Sequence, residues 1–453
     1  MESKYIPRLV IASAMSGGGK TTAACALMRA LRNKGEETAP FKCGPDYIDT
    51  MHYFEACGRQ GTNLDMFFSE PEQLKELFAR NTESCGIAVV EGVMGYYDGR
   101  SMESAAASTY ETAKLLEAPV VLIVPARGMA YTVIPVIKGI SEFRHDSGIS
   151  AVILNGVTEM TYKMLKPVIE KETGIRAAGY IPKLQSSMTS RHLGLTLPWE
   201  NDPAVVEKNA GIIKDTVDLE LLLDIASSAP PVGYEQRCKA MRGESVRIAV
   251  AYDRAFCFYY KENIDILKRM GAEIIYFSPI SDKQLPEGAA GVIFGGGYPE
   301  LHAGELSRNT EMLRDIKNKI ASGMPCIAEC GGFMYLHEHI EDADGKRYSM
   351  AGVIEADAVK RDRLVRFGYA DIRAVSDSAY LKAGEAVKAH EFHYWDSTDS
   401  GDSCTAEKQN GKRSYGCIHM CGTMFAGFPH LYFGSNMRFA ERFLEECRRY
   451  GND

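Results

Sequence analysis

Short apolar runs alternate with amphipathic stretches along the first half of the chain. The runs Arg8–Ser13, Ala39–Lys42, Gly86–Val90, Val120–Val124 and Ala151–Leu154 predict strands. Periodic stretches predict helices over Lys20–Lys34, Pro71–Arg80, Tyr110–Leu116 and Tyr162–Thr173. Ile87–Val90 and Val120–Val124 are apolar without interruption, as in strands that helices cover on both faces. This alternation predicts an α/β fold with a largely parallel sheet.

The pattern breaks around Ala226–Glu244, where Ser-Ser-Ala-Pro-Pro-Val-Gly precedes a charged, non-periodic stretch. That composition reads as a linker. A second α/β pattern follows. It has strands at Val246–Tyr252, near Glu273–Phe277, at Val292–Phe294 and at Cys326–Glu329, with helices at Glu262–Met270 and near Glu311–Ser322. The expected organisation is a domain over 1–228, a linker over 229–245 and a second domain over 246–453. A length of 453 residues fits this, since it exceeds one ordinary core.

Composition is 45% apolar and 25% charged, which suits a water-soluble globular protein. The net charge of −8 argues against general binding to nucleic acid or to anionic membranes. The charged start Met1–Arg8 does not fit a signal peptide, and no run is long enough to span a bilayer. A cytoplasmic protein is expected. The 12 cysteines are scattered without a Cys-x-x-Cys, so most should be buried thiols. Cys417, His419 and Cys421 would share one face of a strand, but their spacing is unlike that of zinc sites.

Between the first strand and the first helix lies Ser13-Ala-Met-Ser-Gly-Gly-Gly-Lys-Thr-Thr22. A glycine-rich turn ending in Lys-Thr at a helix N-terminus is a phosphate-binding loop. Gly17, Gly18, Gly19 and Thr22 would bring backbone N–H groups to phosphate oxygens. Lys20 would reach the β/γ-phosphates, and Thr21 would offer its hydroxyl to Mg²⁺. The strict motif has Gly at position 14, where this chain has Ala14.

Three acidic positions surround that loop. Asp46 and Asp49, in Gly44-Pro-Asp-Tyr-Ile-Asp49, follow a strand end and suit Mg²⁺. One or both could instead cap the next helix, Asp49 being the better candidate. Glu91 ends an apolar strand, where an acidic Mg²⁺ ligand belongs in a phosphate-loop protein. A carboxylate there is costly unless paired or metal-bound. Asp98 is a further candidate in Glu91–Gly99, though Asp-Gly also makes turns. Asn155 is either a purine contact or a turn former before Gly156. Arg191-His192 would suit an anionic substrate.

In the second half, Cys326-Ile-Ala-Glu-Cys330-Gly-Gly-Phe333 is strand, Cys, Gly-Gly, helix. This is a nucleophile elbow with cysteine in the serine's place. The helix N-terminus would lower the Cys330 pKa. Gly331 would donate to an oxyanion, with Gly296 and Gly297 of Phe294-Gly-Gly-Gly-Tyr-Pro-Glu300 as further donors. The base would come from His390, His393 or His430, the last on a stretch able to return to the elbow.

Phosphate loop, Gly-Pro-Asp-Tyr-Ile-Asp, Glu-Gly-Val-Met-Gly-x-Tyr-Asp-Gly, Gly-Gly-Gly-Tyr-Pro-Glu, Glu-Cys-Gly-Gly and a late His occur in that order. Together they resemble the cobyrinic acid a,c-diamide synthase family over about Arg8–Phe443. Asp253–Tyr260 is similar to the start of that family's second domain. The resemblance implies an N-terminal P-loop NTPase-type domain similar to dethiobiotin synthetase. It also implies a C-terminal class I glutamine amidotransferase domain of flavodoxin-like α/β fold. Carried over by position, Lys20 and Thr21 would bind ATP, and Asp46, Asp49, Glu91 and Asp98 would serve Mg²⁺, phosphate transfer or substrate. Cys330 would be the glutaminase nucleophile and His430 its base.

The implied reaction is ATP- and glutamine-dependent amidation of a tetrapyrrole carboxylate. A homodimer is left open. Two departures stand out. Tyr432 occupies the position two after the base, where the family usually has His, and Pro125 stands where it usually has Asp. Cobalt-free hydrogenobyrinate and nickel-sirohydrochlorin are alternative substrates for the same chemistry. A nucleotide switch with an inert amidotransferase appendage is an alternative of another class. A stand-alone dethiobiotin-like ligase would leave the C-terminal half unexplained.

Overall fold

The computed structural model describes residues 2–184, 190–191, 194–202, 204–236, 244–408 and 413–452. It divides into two compact units, Met1–Cys238 and Lys239–Asp453. The stretch expected as linker contains a strand, Val232–Tyr234, which pairs antiparallel with Glu2–Lys4 and buries Val232. His192 lies outside the described residues.

The first unit is built on seven parallel strands. Their order is Thr62–Leu64, Thr38–Cys43, Ile87–Glu91, Arg8–Ser13, Val120–Pro125, Ile149–Asn155 and Arg176–Ile181. Alternate residues of Arg8–Ser13 feed opposite cores. Val10 and Ala12 face one, and Leu9 and Ile11 the other. Burial on both faces is why these strands read as unbroken apolar runs rather than alternations. The phosphate-loop helix, Lys20–Asn33, starts at the carboxyl end of the central strand.

The second unit has five parallel strands in the order Ala272–Phe277, Val246–Ala251, Gly291–Phe294, Cys326–Glu329, Met424–Gly427. In chain order this is 2-1-3-4-5, the flavodoxin-like doubly wound topology. His419–Cys421 adds an antiparallel edge.

The unit also contains a four-stranded sheet of Arg347–Ser349, His337–Glu341, Ile354–Lys360 and Trp395–Ser397, and a five-stranded antiparallel sheet that the sequence pattern did not reveal. The five-stranded sheet comprises Ser414–Cys417, Cys404–Lys408, Arg366–Ala374, Ala386–His393 and His430–Leu431. Ile418, at φ 70°, breaks the chain between two sheets. Cys417 and the His419/Cys421 pair therefore do not share one strand face, and that expectation is corrected. Among the described residues, no helix is long and apolar enough to cross a membrane.

Candidate functional site

In the first unit, register brings the acidic end of one strand beside a lysine. Lys42 and Glu91 are partners on adjacent parallel strands, and Glu91 is also paired with Ile11 of the phosphate-loop strand. Glu91 is fully buried. Its Oε1 accepts from the Thr21 hydroxyl at 2.5 Å and from Lys42 Nζ at 2.8 Å, and its Oε2 accepts from the Tyr53 hydroxyl at 2.5 Å. The cost of burying this carboxylate is thus offset by protein donors. Lys42 also forms an ion pair with Asp49 and donates to the Gly92 carbonyl at 3.4 Å. Burial opposes charge on Lys42, but Asp49 and Glu91 outweigh it and hold the ammonium well above its usual pKa. Burial and then Asp46 push Asp49 up to about 6, against the pull of Lys42.

Asp46, not Asp49, is the helix cap. Its Oδ1 accepts from the N–H groups of Ile48 and Asp49, at 3.0 and 3.3 Å, at the start of the Tyr47–Cys57 helix. Asn63 steadies this corner by donating to the Gly44 and Asp46 carbonyls. The cap follows from geometry: Asp46 has extended backbone, whereas Asp49 already lies in the first turn.

Lys20 donates to the Met15 carbonyl at 3.2 Å and to that of Met94. Burial, then repulsion from Lys42, lowers its pKa to about 8, with Glu91, Asp49 and Asp98 opposing. Asp98 accepts from the Gly95 N–H at 2.8 Å and so closes the loop that carries Met94. Gly19 has φ 90°, a left-handed conformation that favours glycine. Asn155 donates to the Gly18 carbonyl at 3.0 Å and so tethers the loop. It also lines a cleft of about 220 Å³ with Gly19, Thr22, Ala26, Pro182 and Asn209, beside the phosphate-loop helix. Pro125 ends its strand as the register partner of Asn155.

Oxygen donors converge where a magnesium ion would be expected. Thr21 and Glu91 offer a hydroxyl and a carboxylate next to the phosphate loop, a hard donor set that suits Mg²⁺. Asp46 commits Oδ1 to its cap.

In the second unit, Cys330 sits at φ 48°, ψ −104°, between the Cys326–Glu329 strand and the Gly331–Tyr335 helix. That left-handed backbone is the strained turn of a nucleophile elbow. The Gly295–Gly297 loop abuts it: Gly332 N donates to the Gly295 carbonyl at 2.9 Å, and Gly297 N lies 3.1 Å from where a Gly331 side chain would begin. The Gly296 carbonyl is held by the N–H groups of Cys257 and Phe258, both at 3.0 Å.

His430 closes the site. A Cβ on Gly296 would fall 2.3 Å from His430 Cε1, so the imidazole rests directly on the glycine loop. Of the three candidate histidines, this is the one the structure brings to that loop. His393 stacks on Phe428 with ring centroids 4.0 Å apart, and its Nδ1 faces the Trp395 carbonyl at 2.6 Å. His390 is the cross-strand partner of His430.

The expectation of a lowered Cys330 pKa is corrected. The helix is only five residues long, and burial first, then Glu300, pushes the thiol up. Burial, reinforced by His390 and His393, pushes His430 down to about 3. The Cys330 thiol is thus buried and protonated, and the His430 imidazole on the adjoining glycine loop is neutral.

Two family models divide the chain between them. The nucleotide-binding domain of the CobQ/CobB/MinD/ParA type matches residues 9–196, and the CobB/CobQ-like glutamine amidotransferase domain matches 247–437. Curated relatives align along nearly the whole length. The cobyrinate a,c-diamide synthase of Caldanaerobacter subterraneus is 40% identical, over 98% of both chains. That of Picrophilus torridus is 39% identical, over 98% of this chain and 99% of its own. The chain belongs to the cobyrinate a,c-diamide synthase family. The Salmonella typhimurium synthase also aligns, 35% identical over 97% of this chain and 98% of its own. Among solved structures, a glutamine amidotransferase aligns over 44% of this chain at 17% identity, with a TM-score of 0.32 too low to bear on the fold.

Sequence reasoning about this family member missed Lys42, Tyr53 and Glu329. Lys42 was legible only as the polar end of an apolar strand. Tyr53 has no local signal, since its partner Glu91 is 38 residues away. Glu329 was in view beside Cys330, yet its direction is set by a strand about a hundred residues on. Its Oε1 accepts from Leu431 N at 3.2 Å, and its Oε2 lies 3.9 Å from His430 Nδ1. Tyr432, the departure from the family pattern, packs edge-on against Tyr260 with centroids 5.8 Å apart.

Proposed function

We propose that this protein is an ATP-dependent, glutamine-using ligase that converts the a- and c-side-chain carboxylates of cobyrinate to amides. The observation that carries the reading is that one chain holds both halves of the chemistry: a phosphate loop with Thr21, Lys42 and Glu91, and a cysteine elbow with His430 on its glycine loop. Its end-to-end likeness to synthases of this name supports the substrate.

In the first unit, ATP would lie along Gly17–Thr22, with its base toward the cleft of Asn155 and Asn209. Phosphate oxygens would draw Lys20 from the Met15 and Met94 carbonyls it now satisfies. Thr21 and Glu91 would hold Mg²⁺, which supplies positive charge against the phosphates. Lys42, kept protonated, holds Glu91 and Asp49 in place and adds positive charge near the transfer. Asp46 and Asp98 keep the two loops facing the substrate in shape. A substrate carboxylate oxygen would attack the γ-phosphorus, forming an acyl phosphate and releasing ADP.

In the second unit, Cys330 Sγ would attack the side-chain carbonyl carbon of glutamine while its proton passes to His430. The N–H groups of Gly297 and Gly331 would donate to the developing oxyanion. His430 would return the proton to the leaving nitrogen, so that ammonia departs and a thioester remains. Water then releases glutamate. Ammonia would displace phosphate from the acyl phosphate to give the amide.

Incubation with ATP, Mg²⁺, glutamine and each of cobyrinate, hydrogenobyrinate and nickel-sirohydrochlorin, read by mass spectrometry, tests this. Two carboxylate-to-amide conversions on cobyrinate are expected. Conversion of one of the other macrocycles alone would move the reading to that substrate, and conversion of none would overturn it.

A further inference from the structure

The turn that follows the glycine loop of the second unit reverses the usual placement of side chains. In Tyr298-Pro-Glu-Leu301 the leucine is half exposed, whereas Glu300 is only 6% exposed. A glutamate is seldom buried unless it is paired, because its desolvation costs free energy that an ion pair or a metal must offset. Among the described residues, no cation pairs with Glu300, and its carboxyl accepts a hydrogen bond from its own N–H. The cations of this corner, His302 and Arg254, are both taken by Glu305, at 2.8 and 3.2 Å.

This turn is seated against the cysteine elbow. Pro299 Cδ lies 2.8 Å from where a Gly331 side chain would begin, and Glu300 is the next residue. Of the charged groups around Cys330, Glu300 weighs most on the thiol, ahead even of Glu329, its neighbour in sequence. A buried carboxyl with no cation of its own therefore stands close to the nucleophile. Glutamine carries the missing charge. Its α-ammonium is a compact cation with three N–H donors, like that of a lysine. In an extended glutamine that nitrogen is about 5 Å from the side-chain carbonyl carbon. A carboxyl near Cys330 can thus hold the ammonium while the sulfur meets the amide.

We infer that Glu300 is a substrate-binding residue that receives the α-ammonium of glutamine, and that this contact selects the amino acid over other primary amides. The inference rests on the assignment of Cys330 and His430 as the glutaminase site. Burial holds the free Glu300 carboxyl up to about 8, with its own N–H opposing. An arriving ammonium favours the ionised form, and the carboxyl proton leaves to solvent. The ion pair then forms only with glutamine in place, so the cost of burying Glu300 is offset by the substrate itself.

The test compares ammonia release from glutamine with release from 4-carbamoylbutanoate, which is glutamine without its α-amino group. The wild-type full-length protein should favour glutamine about 100-fold or more in kcat/KM, since removing one partner of a buried charged pair is costly. In Glu300→Gln that preference should largely disappear, chiefly through a raised KM for glutamine. Glu300→Asp should retain part of it. Equal ammonia release from both amides by the wild-type protein overturns the inference. So does a Glu300→Gln variant that slows both amides alike and keeps the preference, which is the outcome of a purely structural role. Calorimetric binding of the two amides to Cys330→Ala makes the same comparison with Glu300 intact, and equal affinities there overturn the inference as well. If the wild-type protein releases ammonia from neither amide, or Cys330→Ala still releases it from glutamine, the glutaminase assignment itself fails and the inference with it.

Discussion

Lys42 Nζ lies 2.8 Å from Glu91 Oε1, and the two residues are register partners on neighbouring parallel strands. The pair places a fixed positive charge and a fixed carboxylate beside the Thr21 hydroxyl of the glycine-rich loop. Lys42→Met should strand Glu91 and Asp49 as buried, unbalanced carboxylates. A loss of about 3–5 kcal/mol in the stability of the first unit is expected, measured by urea unfolding. Glutaminase activity should survive where the second unit remains folded.

Glu91→Gln keeps the size of the side chain but removes its charge. Amide synthesis is expected to drop about 100-fold or more with either glutamine or free ammonia as nitrogen source. Product formation in both assays, together with glutamine hydrolysis, measures this.

Cys330→Ala should abolish glutamine-driven synthesis and leave ammonia-driven synthesis intact. Parallel assays with ammonium chloride and glutamine read the difference. Loss of both would contradict the division of labour between the two units.

Gly296→Ala introduces a methyl group 2.3 Å from His430 Cε1, far inside contact distance. The imidazole must move. A displacement on the order of 1 Å costs about 100-fold in rate. Glutaminase kcat should fall accordingly while ammonia-driven synthesis persists.

The second unit should lose stability in acid. Burial first lowers His337 to about 4 and His390 and His430 to about 3. Each would titrate at about 6.5 in the unfolded chain. Below that pH the unfolded state binds protons that the native state refuses, so this stabilisation is present above about 6.5 and is lost as pH falls toward the native values. Urea unfolding between neutral pH and pH 5, followed by the fluorescence of Trp395 in a Trp199→Phe background, should show it. His337→Gln, which removes the ring held between the Phe333 carbonyl and Ser397, should reduce the slope by about one proton.

Much of the parallel architecture was legible because its signals are local. Arg8–Ser13 and Cys326–Glu329 are strands with the bounds that their apolar runs predict. Lys20–Asn33 begins where the glycine loop ends. A strand buried on both faces must be apolar throughout, and a tight turn to a helix must be built of small residues. The antiparallel sheet of the second unit was not legible. Its strands alternate burial irregularly, as in Arg366–Ala374, and one edge is a two-residue strand, His430–Leu431, that returns to Ala389 and His390 from much later in the chain.

The sequence by itself determined the candidate groups: Lys20 and Thr21 at the phosphate loop, Glu91 at a strand end, and Cys330 at an elbow. These reside in short segments whose backbone geometry dictates their residue types. Only the tertiary structure decided what surrounds them. It brought His430, rather than His390 or His393, to the glycine loop, made Asp46 the cap, set Lys42 against Glu91, and put Glu329 Oε2 3.9 Å from His430 Nδ1. Those relationships join residues that chain topology, not sequence proximity, brings together. Burial then fixes the charges they can carry, and the degree of burial is a property of the packed fold rather than of any local run of residues.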